Sequence, residues 1–246
     1  MANFEYFQRD ESFVYPQDIP EQIAYACRIL VNLGMADAIW GHISMRQPGD
    51  DAFWMKPATF GFEDVMPGNM IRLTFDGKIL TGTSPRHMEF PLHAEIFRAR
   101  ADVTAVVHAH PVHSIAFSAT GQRLLPVTHE GVLFCDPDIR CFDKTSDLID
   151  TRELGEAVAL YLGNHRAMFL RNHGIVAVGG NIMEAVATAF FLERAAQAQL
   201  LAGRMGEFEA TSGEEIKRKR DKIFSKSQME RWWKFHCRQV GPLTAR

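Results

Sequence analysis

The chain has 246 residues and a formal net charge of −3, from 27 lysines and arginines against 30 aspartates and glutamates. That length supports one sizeable core, so one domain over 1–246 is expected, and the charge balance gives no reason to expect nucleic acid or another polyanion as a partner. No apolar run approaches the roughly 20 residues of a bilayer span, and the N-terminus has acidic residues and no signal-peptide core, so a cytoplasmic protein is expected.

In chain order, Ile23, Ala26, Cys27, Leu30 and Val31 recur at helical spacing, which predicts a helix over 19–33 ended by Gly34. AIWGHISMRQ then alternates, with Ile39, Ile43 and Met45 on one face and His42, Ser44 and Arg46 on the other, as in a strand with one polar face. FWMKP reads as a second strand, Pro67-Gly68 as a turn, and IRLTF with KILTG as a hairpin closed at Asp76-Gly77. The stretch 89–100 reads as a helix with Leu92, Ile96 and Phe97 as its apolar stripe. TAVVHAH reads as a buried strand, and Pro111 suits the first turn of the helix that follows. EAVALYLG is a short helix, and AMFLRNHGIVAVG is two strand halves broken at Asn172-His173-Gly174. Asn181 with Glu184 opens the longest apolar helix in the manner of a capping box. After a loop over 203–213, the basic EEIKRKRDK leads into a helical C-terminal extension over 214–240 that carries Trp232 and Trp233. Helices interleaved with hairpins favour a three-layer α/β/α domain around a mostly antiparallel sheet.

The sharpest chemical signal is VVHAHP. Side chains two apart on a strand share a face, so His108 and His110 project together, half of a site that usually takes three protein ligands and keeps a position open. His173 stands in RNHG, where a break between strand halves turns its ring inward. Glu89, at a helix start, can ligate a metal or serve as a base beside one. Each alone has a plain structural reading; the set carries the expectation. His93 falls one turn after Glu89 and reads as core or solvent before it reads as support for the site, and His113 reads equally as a helix-turn residue. His129 and Glu130 read as loop residues, KRKRDK as a solvated helix face, and the two tryptophans as packing. The cysteines Cys27, Cys135, Cys141 and Cys237 form no CxxC pair and read as small hydrophobes.

Over about 19–201 the chain resembles the class II aldolase/adducin family, through GHISMR, MEFPLHAEIFRARADVTAVVHAHP, LRNHG and FLERAAQAQ. The resemblance implies one divalent ion per chain on His108, His110 and His173, zinc first, with manganese, iron or cobalt as alternatives. It implies that Glu89 ligates the empty metal and acts as acid/base, and that the protein is a homotetramer with its site at a subunit interface.

The chain departs from the sugar-phosphate aldolases of that family. Their Gly-Asn-x-Ser phosphate loop reads Gly41-His42-Ile43-Ser44 here, and their Ser-Ser pair before the glutamate is replaced by SPRHME. His42, Ser44, Arg86 and His87 are therefore expected to bind a carboxylate or phenolic oxygen. The reaction expected is carbon–carbon cleavage through an enolate-like intermediate. Decarboxylation of an unphosphorylated hydroxy, oxo or hydroxyaromatic acid comes first, aldol cleavage of a hydroxy acid or sugar second, and epimerisation third. A non-catalytic, adducin-like interaction protein is the reading from a different class; it sits badly with an intact set of three histidines.

Overall fold

The computed structural model describes residues 13–244. Helix α1 (Ile19–Asn32) starts where the Asp18 carboxylate accepts the Glu21 N–H at 2.8 Å, and stops before Gly34, which takes a φ of +73°. Then come β1 (His42–Met45), β2 (Ala52–Met55), β3 (Ile71–Thr74) and β4 (Ile79–Thr81), with α2 (Phe90–Ala99) behind them. Next in the chain are β5 (Ala105–Ala109), α3 (Val112–Ser118), β6 (Arg140–Phe142), α4 (Arg152–Leu162), β7 (Ala167–Leu170) and β8 (Gly174–Gly179). The helices α5 (Ile182–Arg204), α6 (Glu214–Ile223) and α7 (Lys226–Val240) complete it.

The eight strands form one sheet in the order β4-β3-β2-β1-β5-β8-β7-β6, antiparallel except where β6 meets β7. Alternation along the strands divides the core in two. Ile43, Val107, Phe169 and Ile175 pack under α1, α3, α5 and α7, while Phe53, Val106, Met168 and Val176 pack under α2 and α4. The expected three-layer α/β/α arrangement around a mostly antiparallel sheet is what the chain adopts. The site lies on the α2 side, because His42 and Ser44 of β1 and His108 of β5 all take the positions that face that helix.

Several expectations shift. The first strand is only four residues long, because Ala38 (φ +45°) and Gly41 (φ +71°) turn the chain where alternation suggested extension, and Ile39 is left exposed. Pro111 stands one position earlier than expected, preceding α3 instead of entering its first turn. Strand β6 and the 3-10 turn over Glu130–Phe134 had no sequence signal; both are short. The C-terminal extension is two helices, broken between Ile223 and Lys226. Trp233 is buried against the core and Trp232 packs on Phe190 and Phe191, while the charged run of α6 makes ion pairs at its exposed surface. The four cysteines are free thiols. Among the described residues no helix is long and apolar enough to cross a membrane.

Candidate metal centre

The centre is assembled where β5 ends beside the start of β8. Their register pairs His108 with Val176 and Ala109 with Ile175, which brings the β7–β8 turn alongside the end of β5. Asn172 takes the left-handed conformation (φ +58°) that asparagine tolerates better than most residues. Gly174 has no room for a side chain: a Cβ there would lie 2.4 Å from the Ala109 carbonyl oxygen. The Asn-His-Gly turn therefore presses the two strands together, and the rings of His173 and His110 stack with centroids 5.4 Å apart.

What lies behind each imidazole decides what it presents to the front. His108 Nδ1 is 3.0 Å from the carbonyl oxygen of Ile175, and His110 Nδ1 is 3.1 Å from Asp37 Oδ2. Both partners only accept, so both Nδ1 atoms carry the proton and each neutral ring keeps its lone pair on Nε2. Those two Nε2 atoms face one another at 3.0 Å, an arrangement that is unfavourable until a cation stands between them. His173 Nε2 is buried with no hydrogen-bond partner. Glu89 closes the ring, with Oε2 at 3.5 Å from His108 Nε2 and Oε1 at 3.6 Å from His173 Nε2. One ligand atom from each of these four residues lies within 4.8 Å of all the others. Ligand spacings of about 3–4 Å are what bonds of roughly 2.0–2.2 Å to a common ion produce, so the donor set fits a divalent metal.

The electrostatics agree. Burial first, then the neighbouring His108, pushes both His110 and His173 down to about 4 from 6.5, so both rings stay neutral, as ligation requires. Burial alone would raise Glu89, but the imidazoles of His108 and His42 against its carboxylate outweigh burial and hold the carboxyl well below its usual range. Oε1 also accepts the backbone N–H of Ile149 at 2.8 Å, which ties Glu89 to the loop before α4. Although Glu89 immediately precedes α2, its side chain caps nothing there; it is turned into the site.

A cavity of about 380 Å³ opens in front of the cluster. His42 and His87 form part of its wall with their rings 4.5 Å apart, and Trp40, Ile115 and Leu148 supply apolar surface. His42, His87, Glu89, His108, His110 and His173 are thus brought together as expected. Two of the expected substrate contacts are not. Ser44 is fully buried behind His42, with its hydroxyl on His93 instead of in the cavity, because β1 carries it one pleat deeper into the layer under α2. Arg86 faces the β3–β4 hairpin, donating from Nε to the Gly77 carbonyl oxygen at 3.0 Å with its guanidinium over the Phe90 ring, so its positive charge is not on the cavity wall. His113 is bound by Glu193 of α5, whose carboxylate also accepts the backbone N–H groups of His113 and Ser114 at the start of α3. His129 is exposed and does not line the cavity.

Sequence reasoning missed Asp37, which backs His110, and the loop residues Asp147 and Leu148 of the cavity wall. Nothing in their local pattern marks them. His93 did have a signal, its spacing of one helical turn from Glu89, and that signal was outweighed by the plainer reading.

Fold and site together describe an α/β/α protein with a buried histidine and carboxylate cluster suited to a divalent ion. The chain belongs to the family described as the class II aldolase and adducin N-terminal domain, whose model matches residues 21–200. Among curated relatives, the decarboxylase NovR of Streptomyces niveus is 34% identical over 195 residues, covering 78% of this chain and 72% of the relative. L-fuculose phosphate aldolase of Escherichia coli is 30% identical over 183 residues, covering 74% and 82%. Among solved structures, an aldolase II superfamily protein from Pseudomonas syringae superposes with a TM-score of 0.81 at 26% identity, covering 92% and 94%. The family and the relatives support a lyase.

Proposed function

We propose that this protein is a divalent-metal-dependent carbon–carbon lyase, and that it decarboxylates an unphosphorylated hydroxy, oxo or hydroxyaromatic carboxylic acid. The observation that carries the reading is the meeting of three inward-facing Nε2 atoms and one carboxylate at the floor of an open cavity. His108, His110 and His173 would hold the ion, zinc before manganese, iron or cobalt. Bound there, a divalent ion supplies an electron sink for the carbanion that carbon–carbon cleavage leaves. Glu89 is within reach of a substrate in the cavity and is assigned the proton transfer that quenches that carbanion.

Decarboxylation is preferred over aldol cleavage because the wall beside the cluster carries the imidazoles of His42 and His87 where the phosphate-binding relatives are expected to place a small polar loop. Trp40 and Leu148 add a face suited to an aromatic ring. The likeness to NovR supports the same preference; the likeness to the fuculose phosphate aldolase supports aldol cleavage as the second reading. A homotetramer that covers the cavity is part of the proposal, since Trp40 and Leu148 on its rim are 59% and 41% exposed. The test is to load the protein with metal, screen it against hydroxyaromatic, hydroxy-acid and sugar-phosphate substrates, and follow carbon dioxide and aldehyde separately. Carbon dioxide release from a hydroxyaromatic acid is expected; efficient cleavage of a sugar phosphate would replace decarboxylation with aldol chemistry.

A further inference from the structure

Outside the metal ligands, the site contains a second buried chain of polar groups. Ser44 Oγ is 2.5 Å from His93 Nδ1, His93 Nε2 is 2.7 Å from His42 Nδ1, and His42 Nε2 is 3.5 Å from Glu89 Oε2. All three members behind Glu89 are buried: Ser44 and His93 are 0% exposed and His42 is 2% exposed. The geometry follows from two periodicities. His42 and Ser44 are two apart on β1 and face the same way, and Glu89 and His93 are four apart on one face of the α2 segment. The two ring nitrogens of His93 span the distance between the two β1 positions, so one imidazole on the helix bonds both side chains on the strand.

Such a chain has two self-consistent proton arrangements. In one, the Ser44 hydroxyl donates to His93 Nδ1, His93 Nε2–H donates to His42 Nδ1, and His42 presents Nε2–H toward Glu89. In the other every donor is reversed, and His42 turns a lone pair toward the carboxylate oxygen. The reversed form sets lone pair against lone pair beside a charged group, a repulsion that buried surroundings screen poorly. We infer that His93, with Ser44 behind it, is a positioning residue that holds His42 as the Nε2–H tautomer, making His42 an N–H donor beside His108 and His110, whose Nε2 atoms present lone pairs. His42 and His108 are paired across adjacent strands with their rings 4.7 Å apart, yet the groups behind them differ. A carbonyl behind His108 makes its Nε2 a ligand, and an N–H behind His42 makes its Nε2 a donor to Glu89 and to a substrate oxygen in the cavity. His42 is thereby kept from competing as a metal ligand. The inference rests on the proposed lyase only for its activity readout.

The experiment is nitrogen NMR of protein labelled in the histidine rings, metal-free and zinc-loaded, with His42 and His93 assigned from the spectra of His42→Gln and His93→Gln. The wild type is expected to show both rings protonated on Nε2 and bare on Nδ1 in the metal-free form, a result that stands whether or not any lyase substrate is found. A proton on His42 Nδ1 would overturn the inference outright. In a second arm, His93→Gln retains an amide N–H for His42 and His93→Leu does not. With zinc content unchanged in both, His93→Leu should lower kcat about 10–100-fold with little change in KM, the range usual for groups that orient an active imidazole, and His93→Gln should recover most of it. Equal kcat in the two variants would show that His93 only fills space. Ser44→Ala, which removes the least volume, should leave the fold intact and mix the His93 tautomers; an unchanged His93 spectrum would remove Ser44 from the chain.

Discussion

Two clusters of histidines stand side by side in this molecule, one where β5 ends beside the start of β8 and the other on β1 and α2, and the same side chain is set to opposite tasks in them. On the β5–β8 side, acceptors stand behind the rings: the Ile175 carbonyl behind His108 and the Asp37 carboxylate behind His110. On the β1–α2 side, a hydroxyl and another imidazole stand behind His42. The first arrangement exposes lone pairs and suits a cation; the second suits a hydrogen-bond donor. The character of a histidine here is thus decided one contact away from the cavity.

The largest effect should come from breaking the first cluster. His108→Ala or His173→Ala is expected to lose most of about one divalent ion per chain together with lyase activity, because three protein ligands leave little redundancy. Elemental analysis of freshly purified protein measures it, and wild type that neither carries metal nor is activated by it would remove the enzyme reading. Next, Glu89→Gln should keep fold and metal yet lose roughly 100-fold or more in turnover if Glu89 transfers protons; near-normal turnover would leave it a structural role. Asp37→Ala is milder. It withdraws the acceptor behind His110 without touching a ligand, and should weaken metal affinity about 10–100-fold, as read by competition with a chelator.

The comparison also has a pH signature. His110 and His173 are pushed down to about 4, whereas in the unfolded chain each titrates near 6.5. Between those values the unfolded state binds protons that the native state refuses, so native stability falls as pH drops from about 6.5 toward 4 and levels off below. The melting temperature of metal-free protein followed from pH 7 to 4 should show this fall, and His173→Gln should make it shallower by removing one of the depressed imidazoles. A wild-type profile as flat as the variant's would count against the burial of these rings. The smallest effect is expected at Arg86, which packs on the hairpin side. Arg86→Ala should leave KM for a carboxylate substrate unchanged and cost about 1 kcal/mol of stability or less, from a lost exposed contact. A several-fold rise in KM would bring Arg86 back to the substrate.

Much of this was readable in one dimension because it depends on short spacing. HxH on a β-branched run, histidine between asparagine and glycine, and glutamate one turn before histidine each impose geometry through the strand or helix period alone. Interleaved helices and hairpins likewise specified the three layers, since each amphipathic face needs a covering layer. Tertiary structure decided whatever depends on which group stands behind which. Asp37 reaches His110 across 73 positions of chain and Ile149 reaches Glu89 across 60, and no local pattern encodes either contact. Arg86 and Ser44 show the same limit from the other side. Their places next to site residues in sequence suggested substrate contacts, but the hairpin took the guanidinium and α2 took the hydroxyl. Spacing along a strand or helix determines which side chains share a face, while the protons they carry and the cavity they see are determined by the elements packed against that face.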